Sequence, residues 1–142
     1  MIALLDANML IALFDAAHLQ HQRAHQWLAQ NRAHGWATCP LTQNACIRII
    51  SQSVYPGRLA VADIARRLRQ AIDAPDHRSW RDTISICDST LFDHSKMLTP
   101  KHLTDIYLLG LAVANRGRLV TFDRHIPTLA VVGVTPSHLE AL

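Results

Sequence analysis

Two hydrophobic periods alternate along the chain. Ile2-Ala3-Leu4-Leu5 is an unbroken apolar run fit for a buried strand; after Asp6-Ala7-Asn8, the spacing of Met9, Leu10, Leu13 and Phe14 changes to that of a helix. A second helix is expected over 18–30, with Ala24, Trp27 and Leu28 inward, and Gly35 separates it from a short strand over 36–39. Pro40 suits a helix start, with Leu41, Ala45, Ile49 and Ile50 on its apolar face. A further helix follows Pro56-Gly57 through Leu59, Ile64, Leu68 and Ile72, and residues 73–76 read as a loop. Alternation of Trp80, Asp82, Ile84 and Ile86 predicts a strand over 80–86. Thr104 is expected to cap a helix through Ile106, Leu108, Leu109, Leu111, Ala112 and Val113, closing at 115–117, before strands over 118–122 and 129–134. Short apolar strands alternating with helices imply a three-layer α/β/α, Rossmann-like fold around a parallel sheet of about four to five strands.

Composition narrows the class without naming a function. The 142 residues are 49% hydrophobic and 18% charged, with no repeat, low-complexity tract or Pro/Gly-rich linker, so one globular domain over 1–142 is expected rather than a tail or coiled coil. A net charge of +3 permits a polyanionic partner without requiring one. Cys39, Cys46 and Cys87 have neither metal-type nor redox-type spacing and read as small apolar residues in a reducing compartment. The apolar first fourteen residues are interrupted by Asp6 and Asn8 and carry no leading positive charge. They read as neither signal peptide nor membrane span, and a cytoplasmic protein is expected.

The acids carry the chemical information. Ten of the eleven are aspartates, and three occupy related places. Asp6 ends the first strand, Asp123 ends the strand over 118–122, and Asp105 opens a helix. In a parallel α/β sheet these positions gather on one rim. Three converging carboxylates repel one another unless a cation sits among them, and an all-oxygen, histidine-free cluster suits Mg²⁺ or Mn²⁺. Such an ion activates water against phosphorus, which makes phosphodiester hydrolysis the natural chemistry. Each position also has a purely structural use: Asp6 as a helix cap, Asp105 as a first-turn acid, Asp123 as a turn residue. Asn8 has two uses open to it, bonding a site carboxylate or bracing the turn.

Four stretches in order resemble one family. Leu4-Leu5-Asp6-Ala7-Asn8-Met9-Leu10-Ile11, Cys39-Pro40-Leu41-Thr42 with Arg48-Ile49, Leu103-Thr104-Asp105-Ile106-Tyr107-Leu108-Leu109 and Leu119-Val120-Thr121-Phe122-Asp123-Arg124 are similar to the segments of PIN-domain toxins of the VapC type. The resemblance implies a Mg²⁺-dependent endoribonuclease, the toxin of a type II toxin–antitoxin system, with RNA as substrate, a cognate antitoxin as partner, a homodimeric state and no membrane. It places Asp6, Asp105 and Asp123 as the first, third and fourth family acids, with Asp6 and Asp105 the principal metal ligands. The second acid is replaced by Gln43, and no Asp or Glu lies between Asp15 and Asp63 to substitute for it. An amide keeps an oxygen acceptor but loses a negative charge, so weaker cation binding is expected, and a catalytically silent module that binds RNA or protein is the alternative.

Other features complete the set. Arg48, about one helical turn beyond Gln43, is the expected phosphate contact. His18, His21 and His25 share a helical face; with no Cys or acid beside them, they read as a polar surface rather than a zinc site. Arg66, Arg67 and Arg69 make a basic cluster beside which an antitoxin segment could dock, its own arginine entering the acidic site. An aspartyl-phosphate enzyme built on Asp6 is disfavoured, because Asn8 stands where a second Asp is needed and neither of the only lysines, Lys96 and Lys101, follows a clear strand.

Overall fold

Strand β1 (Ala3–Leu5), β2 (Trp36–Thr38), β3 (His77–Ser79), β4 (Arg118–Thr121) and β5 (Leu139–Ala141) form one sheet in the order β3-β2-β1-β4-β5. Every pairing is parallel. The computed structural model describes all residues, 1–142. Central β1 is buried throughout, as a strand covered on both faces must be. Its side chains alternate between two cores: Leu4 joins Leu119 on one face, while Ala3 and Leu5 join Val120 on the other.

Helices α1 (Ala7–Phe14), α2 (His21–Asn31), α3 (Pro40–Ile50) and α4 (Val61–Ile72) cover the second of these faces. Helix α5 (Leu103–Ala114) covers the first, together with irregular chain carrying Trp80, Phe92, Ile126 and Val131. The three layers expected from the sequence are therefore present, with five strands. No helix is long and apolar enough to cross a membrane.

Local chemistry explains the element boundaries. Proline at the first position of α3 has no amide to leave unpaired, and the Cys39 amide donates to Thr42 Oγ1 at 3.1 Å. Of the expected inward face of α3, Ile50 is buried, whereas Leu41, Ala45 and Ile49 are only partly covered and Thr42 and Cys46 take the inward places instead. Helix α2 begins at His21, not His18, and its histidines act on the preceding helix. His21 Nδ1 lies 2.7 Å from the Ala12 carbonyl and His25 Nε2 lies 2.9 Å from that of Leu13, which satisfies two of the carbonyls that end α1. At its far end, α5 closes with Arg116 at φ 54° and Gly117 donating to the Ala112 carbonyl at 2.9 Å. A side chain at Gly117 would lie 2.6 Å from the Ile2 carbonyl, so only glycine lets β4 begin there.

Three expectations fail. Residues 80–86 form no strand; β3 is His77–Ser79, just upstream, and the alternation records Trp80, Ile84 and Ile86 packing irregularly on the core beneath α5. Residues 129–134 hold only a short turn and an isolated bridge from Val131 to Phe92, while the last strand lies at Leu139–Ala141. Thr104 does not cap α5. A turn over Pro100–His102 leads directly into the helix, leaving Thr104 exposed inside its first turn.

The chain builds β1, β2 and β3 outward in one direction and then returns to place β4 on the other side of β1. Strand order thus reverses between β1 and β4, and it is past the carboxyl ends of strands at such a reversal that parallel α/β sheets bind ligands.

Candidate active site

Asp6 follows β1 and Asp123 follows β4, so these two acids flank the reversal point. Asp105, in the first turn of α5, approaches from the covering layer. Asp6 is 5% exposed. Although it occupies the position preceding α1, its side chain makes no capping hydrogen bond and instead accepts the Thr121 hydroxyl at Oδ2, 2.9 Å away. Thr121 Oγ1 in turn accepts the Asp123 amide at 3.0 Å. Asp123 Oδ1 accepts the His125 amide at 2.7 Å, which tightens the turn after β4.

Burial dominates the electrostatics. It pushes the Asp6 carboxyl from 3.8 up to about 6; the Thr121 donor opposes the rise, and the charge of Asp105 adds to it. Burial also raises Asp105, reinforced by Asp123 and partly offset by His102. These carboxylates therefore share one field, Asp6 with Asp105 and Asp105 with Asp123.

His102, the residue just before α5, belongs to the group. Its Nδ1 lies 3.8 Å from Asp105 Oδ2 and 3.8 Å from Asp123 Oδ2. One donor atom from each of the three residues falls within 4.8 Å of the others. The expectation of a histidine-free cluster is thereby corrected: the turn over Pro100–His102 swings this imidazole in beside the acids. Nothing in the sequence flagged His102 beyond its place three residues before Asp105. Thr121 sits inside an apolar strand motif, and its hydroxyl bond to Asp6 depends on strand pairing that no local pattern reports.

Gln43 stands at the same end of the sheet, on the first turn of α3 beyond β2. Its Nε2 donates to Thr38 Oγ1 at 2.8 Å, and that hydroxyl also meets His77 Nε2 at 2.9 Å. Asp82 does not take the place of the missing acid, because it faces Cys39 and Tyr107. Asn8 is exposed in the first turn of α1, and Arg48 is exposed in the last turn of α3. His18, His21 and His25 gather at no metal-type cluster, their ring nitrogens being committed to backbone groups.

Comparison with known proteins agrees with this architecture. The PIN domain model matches residues 3–132. The chain belongs to the PIN-domain family. Within that family it is 46% identical over 140 residues to Ribonuclease VapC44 of Mycobacterium tuberculosis H37Rv, covering 99% of both chains. It is 40% identical to Ribonuclease VapC38 of the same strain, over 90% of this chain and 89% of that one, and 34% identical to Ribonuclease VapC39, over 94% and 97%. This PIN domain is thus of the VapC ribonuclease type, and the acidic rim described above lies wholly inside the matched segment.

Proposed function

We propose that the chain is an endoribonuclease toxin of a type II toxin–antitoxin pair, hydrolysing RNA phosphodiester bonds in the cytoplasm at the rim formed by Asp6, Asp105 and Asp123. The observation that carries this reading is the gathering of Asp105, Asp123 and His102, with buried Asp6 in the field of Asp105, at the strand-order reversal of a VapC-type PIN domain. The donor set fits a divalent cation, Mg²⁺ or Mn²⁺. Burial and mutual repulsion raise two of the carboxyls, and His102 Nδ1 is fully shielded without a hydrogen-bond partner.

Asp6, Asp105 and Asp123 would hold the ion. When bound, it supplies positive charge against the scissile phosphate and acidifies water at the reacting phosphorus. Thr121 fixes the Asp6 carboxylate by committing Oδ2, which leaves Oδ1 without a side-chain donor. Asp123 is oriented by two hydrogen bonds: its amide donates to Thr121 Oγ1, and its Oδ1 accepts the His125 amide. Gln43 offers its amide oxygen from the end of β2, while its nitrogen is spent on Thr38. Arg48 and Asn8, both exposed, would meet the RNA backbone, Asn8 from the first turn of α1 and Arg48 from the last turn of α3. A cognate antitoxin would silence the site by placing an arginine among the acids, and a homodimer is the working assembly.

Gln43 favours one second reading, a silent module that binds RNA or protein without cutting it. Both readings are tested by incubating purified protein with a structured RNA pool. The nuclease reading expects cleavage that needs Mg²⁺ or Mn²⁺, stops with chelator and disappears in Asp6→Asn. Uncut RNA at every cation concentration, with RNA binding retained, would establish the silent module instead.

A further inference from the structure

His102 stands where a hydrogen bond would be expected and none is made. Its Nδ1 is 3.8 Å from a carboxylate oxygen on each side, beyond hydrogen-bonding reach, and no other group of the protein satisfies it. The side chain is 13% exposed, so bulk water reaches little of it. A proton on Nδ1 would draw at least one carboxylate into a shorter, charge-assisted contact. A lone pair there, facing two anions, is repulsive unless a cation lies between. Two donors that bind one ion at about 2.1 to 2.2 Å sit about 3 to 3.7 Å apart, so the observed spacing needs only a slight contraction around an ion.

We propose that His102 Nδ1 is itself a metal ligand, completing a set of one imidazole nitrogen with the carboxylates of Asp105, Asp123 and Asp6, and that this set selects Mn²⁺ over Mg²⁺. The proposal rests on reading the rim as a cation site. Two features of the chain favour this choice of ion. Mg²⁺ derives its binding almost entirely from charged oxygens and tolerates nitrogen poorly, so replacement of an acid by Gln43 weakens it most. An imidazole restores a donor without restoring charge, which benefits first-row transition ions that accept nitrogen. His102 also sits in the turn before α5 with Asp105 three residues on, so the pair comes to the ion as one rigid unit.

The test uses Mn²⁺ alone with the full chain. Pulsed electron paramagnetic resonance of bound Mn²⁺ detects a directly coordinated ring nitrogen, and ¹⁵N-histidine labelling of the unmutated protein confirms that the signal is histidine's. We expect nitrogen coupling in the unmutated protein, its loss in His102→Ala and His102→Gln, a fall in calorimetric Mn²⁺ affinity of about tenfold or more, and Mg²⁺ affinity within about twofold. Bound Mn²⁺ without nitrogen coupling, its binding abolished by Asp105→Asn, would overturn the assignment while leaving the carboxylate site standing. Coupling that persists in both His102 variants would transfer the role to another histidine and overturn it equally. No Mn²⁺ binding to the unmutated protein would remove this proposal and the cation-site reading together.

Discussion

Thr121 donates its hydroxyl to Asp6 across the β1–β4 pairing, at 2.9 Å, and is the only side-chain donor to that buried carboxylate. The bond holds an anion in a place that burial would otherwise keep neutral. Thr121→Val keeps the shape and removes the donor, which leaves a buried acceptor unpaired at about 1–3 kcal/mol. The Asp6 carboxyl should then rise above its present value of about 6, moving the acid limb of the cleavage pH profile upward. Thr121→Ser should restore most of both, as chemical denaturation and rate–pH curves will show.

Metal-free protein should lose stability as pH rises through the Asp6 transition. The folded carboxyl titrates at about 6 and the unfolded one near 3.8, so the folded state binds the extra proton between them. The benefit is fully present below about 4 and gone above about 6, and at 1.36 kcal/mol per unit it amounts to about 3 kcal/mol. Asp15, Asp76, Asp88 and Asp93 have lowered values and push the other way, so the quantity to measure is the difference between the unmutated protein and Asp6→Asn. Denaturant melts in chelator from pH 4 to pH 8 should show the variant gaining on its parent across that window.

Cation binding reverses this dependence. A divalent ion and a proton compete for Asp6, so the rise in melting temperature on adding Mn²⁺ should grow between pH 5 and pH 7 and then level off. A cation-induced shift that stays constant across that range would show that Asp6 takes no part in holding the ion.

Gln43→Glu returns a negative charge to the end of β2. The Thr38 hydroxyl now accepts from the Gln43 amide and meets His77 Nε2; it can rotate to donate to a carboxylate, so the fold should accept the change. Mg²⁺ should saturate cleavage at about tenfold lower concentration, since ligand charge governs the affinity of hard cations. Titration of initial rates against Mg²⁺ measures this directly, and an unchanged half-saturation point would place Gln43 outside the site.

Gly110→Ala tests the core that supports Asp105 without touching the rim. A Cβ there would lie 2.5 Å from the Phe92 ring, and Phe92 is fully buried. Overpacking should reduce stability by about 1–3 kcal/mol, with Mn²⁺ affinity retained below the lowered melting temperature.

The sequence made the central sheet readable and its edges obscure. β1 and β4 are apolar because both of their faces are covered, and an acid ending each run stood out against them. β3 and β5 are edge strands of three residues: His77-Arg78-Ser79 is mostly exposed, and Leu139-Glu140-Ala141 only partly covered, so neither carries a strong pattern. β5 is held in part by side chains. Glu140 accepts Trp27 Nε1 at 2.8 Å and pairs with Arg118 at 3.0 Å, contacts 113 and 22 residues away in sequence and invisible to local periodicity. The better-patterned stretch at 80–86 misled because an apolar residue beneath a helix looks the same whether its backbone is extended or irregular; at 129–134 only Ala130 and Val131 are buried, while Leu129 and Val132 are exposed. Within the site, Asp6, Asp105 and Asp123 could be picked out by their element ends, whereas His102 and Thr121 owe their places to a turn and a strand pairing.

Pairing of Leu5 with Val120 fixes which face of the sheet each following residue takes, and Thr121 meets Asp6 only in that alignment. Strand faces alternate residue by residue, so a slip of one position would turn the hydroxyl away from the acid and exchange Leu119 with Val120 between the two cores. Arg116 and Gly117, which set where β4 begins, therefore govern chemistry they never touch. One residue inserted at that bend should silence the rim more thoroughly than many substitutions made inside it.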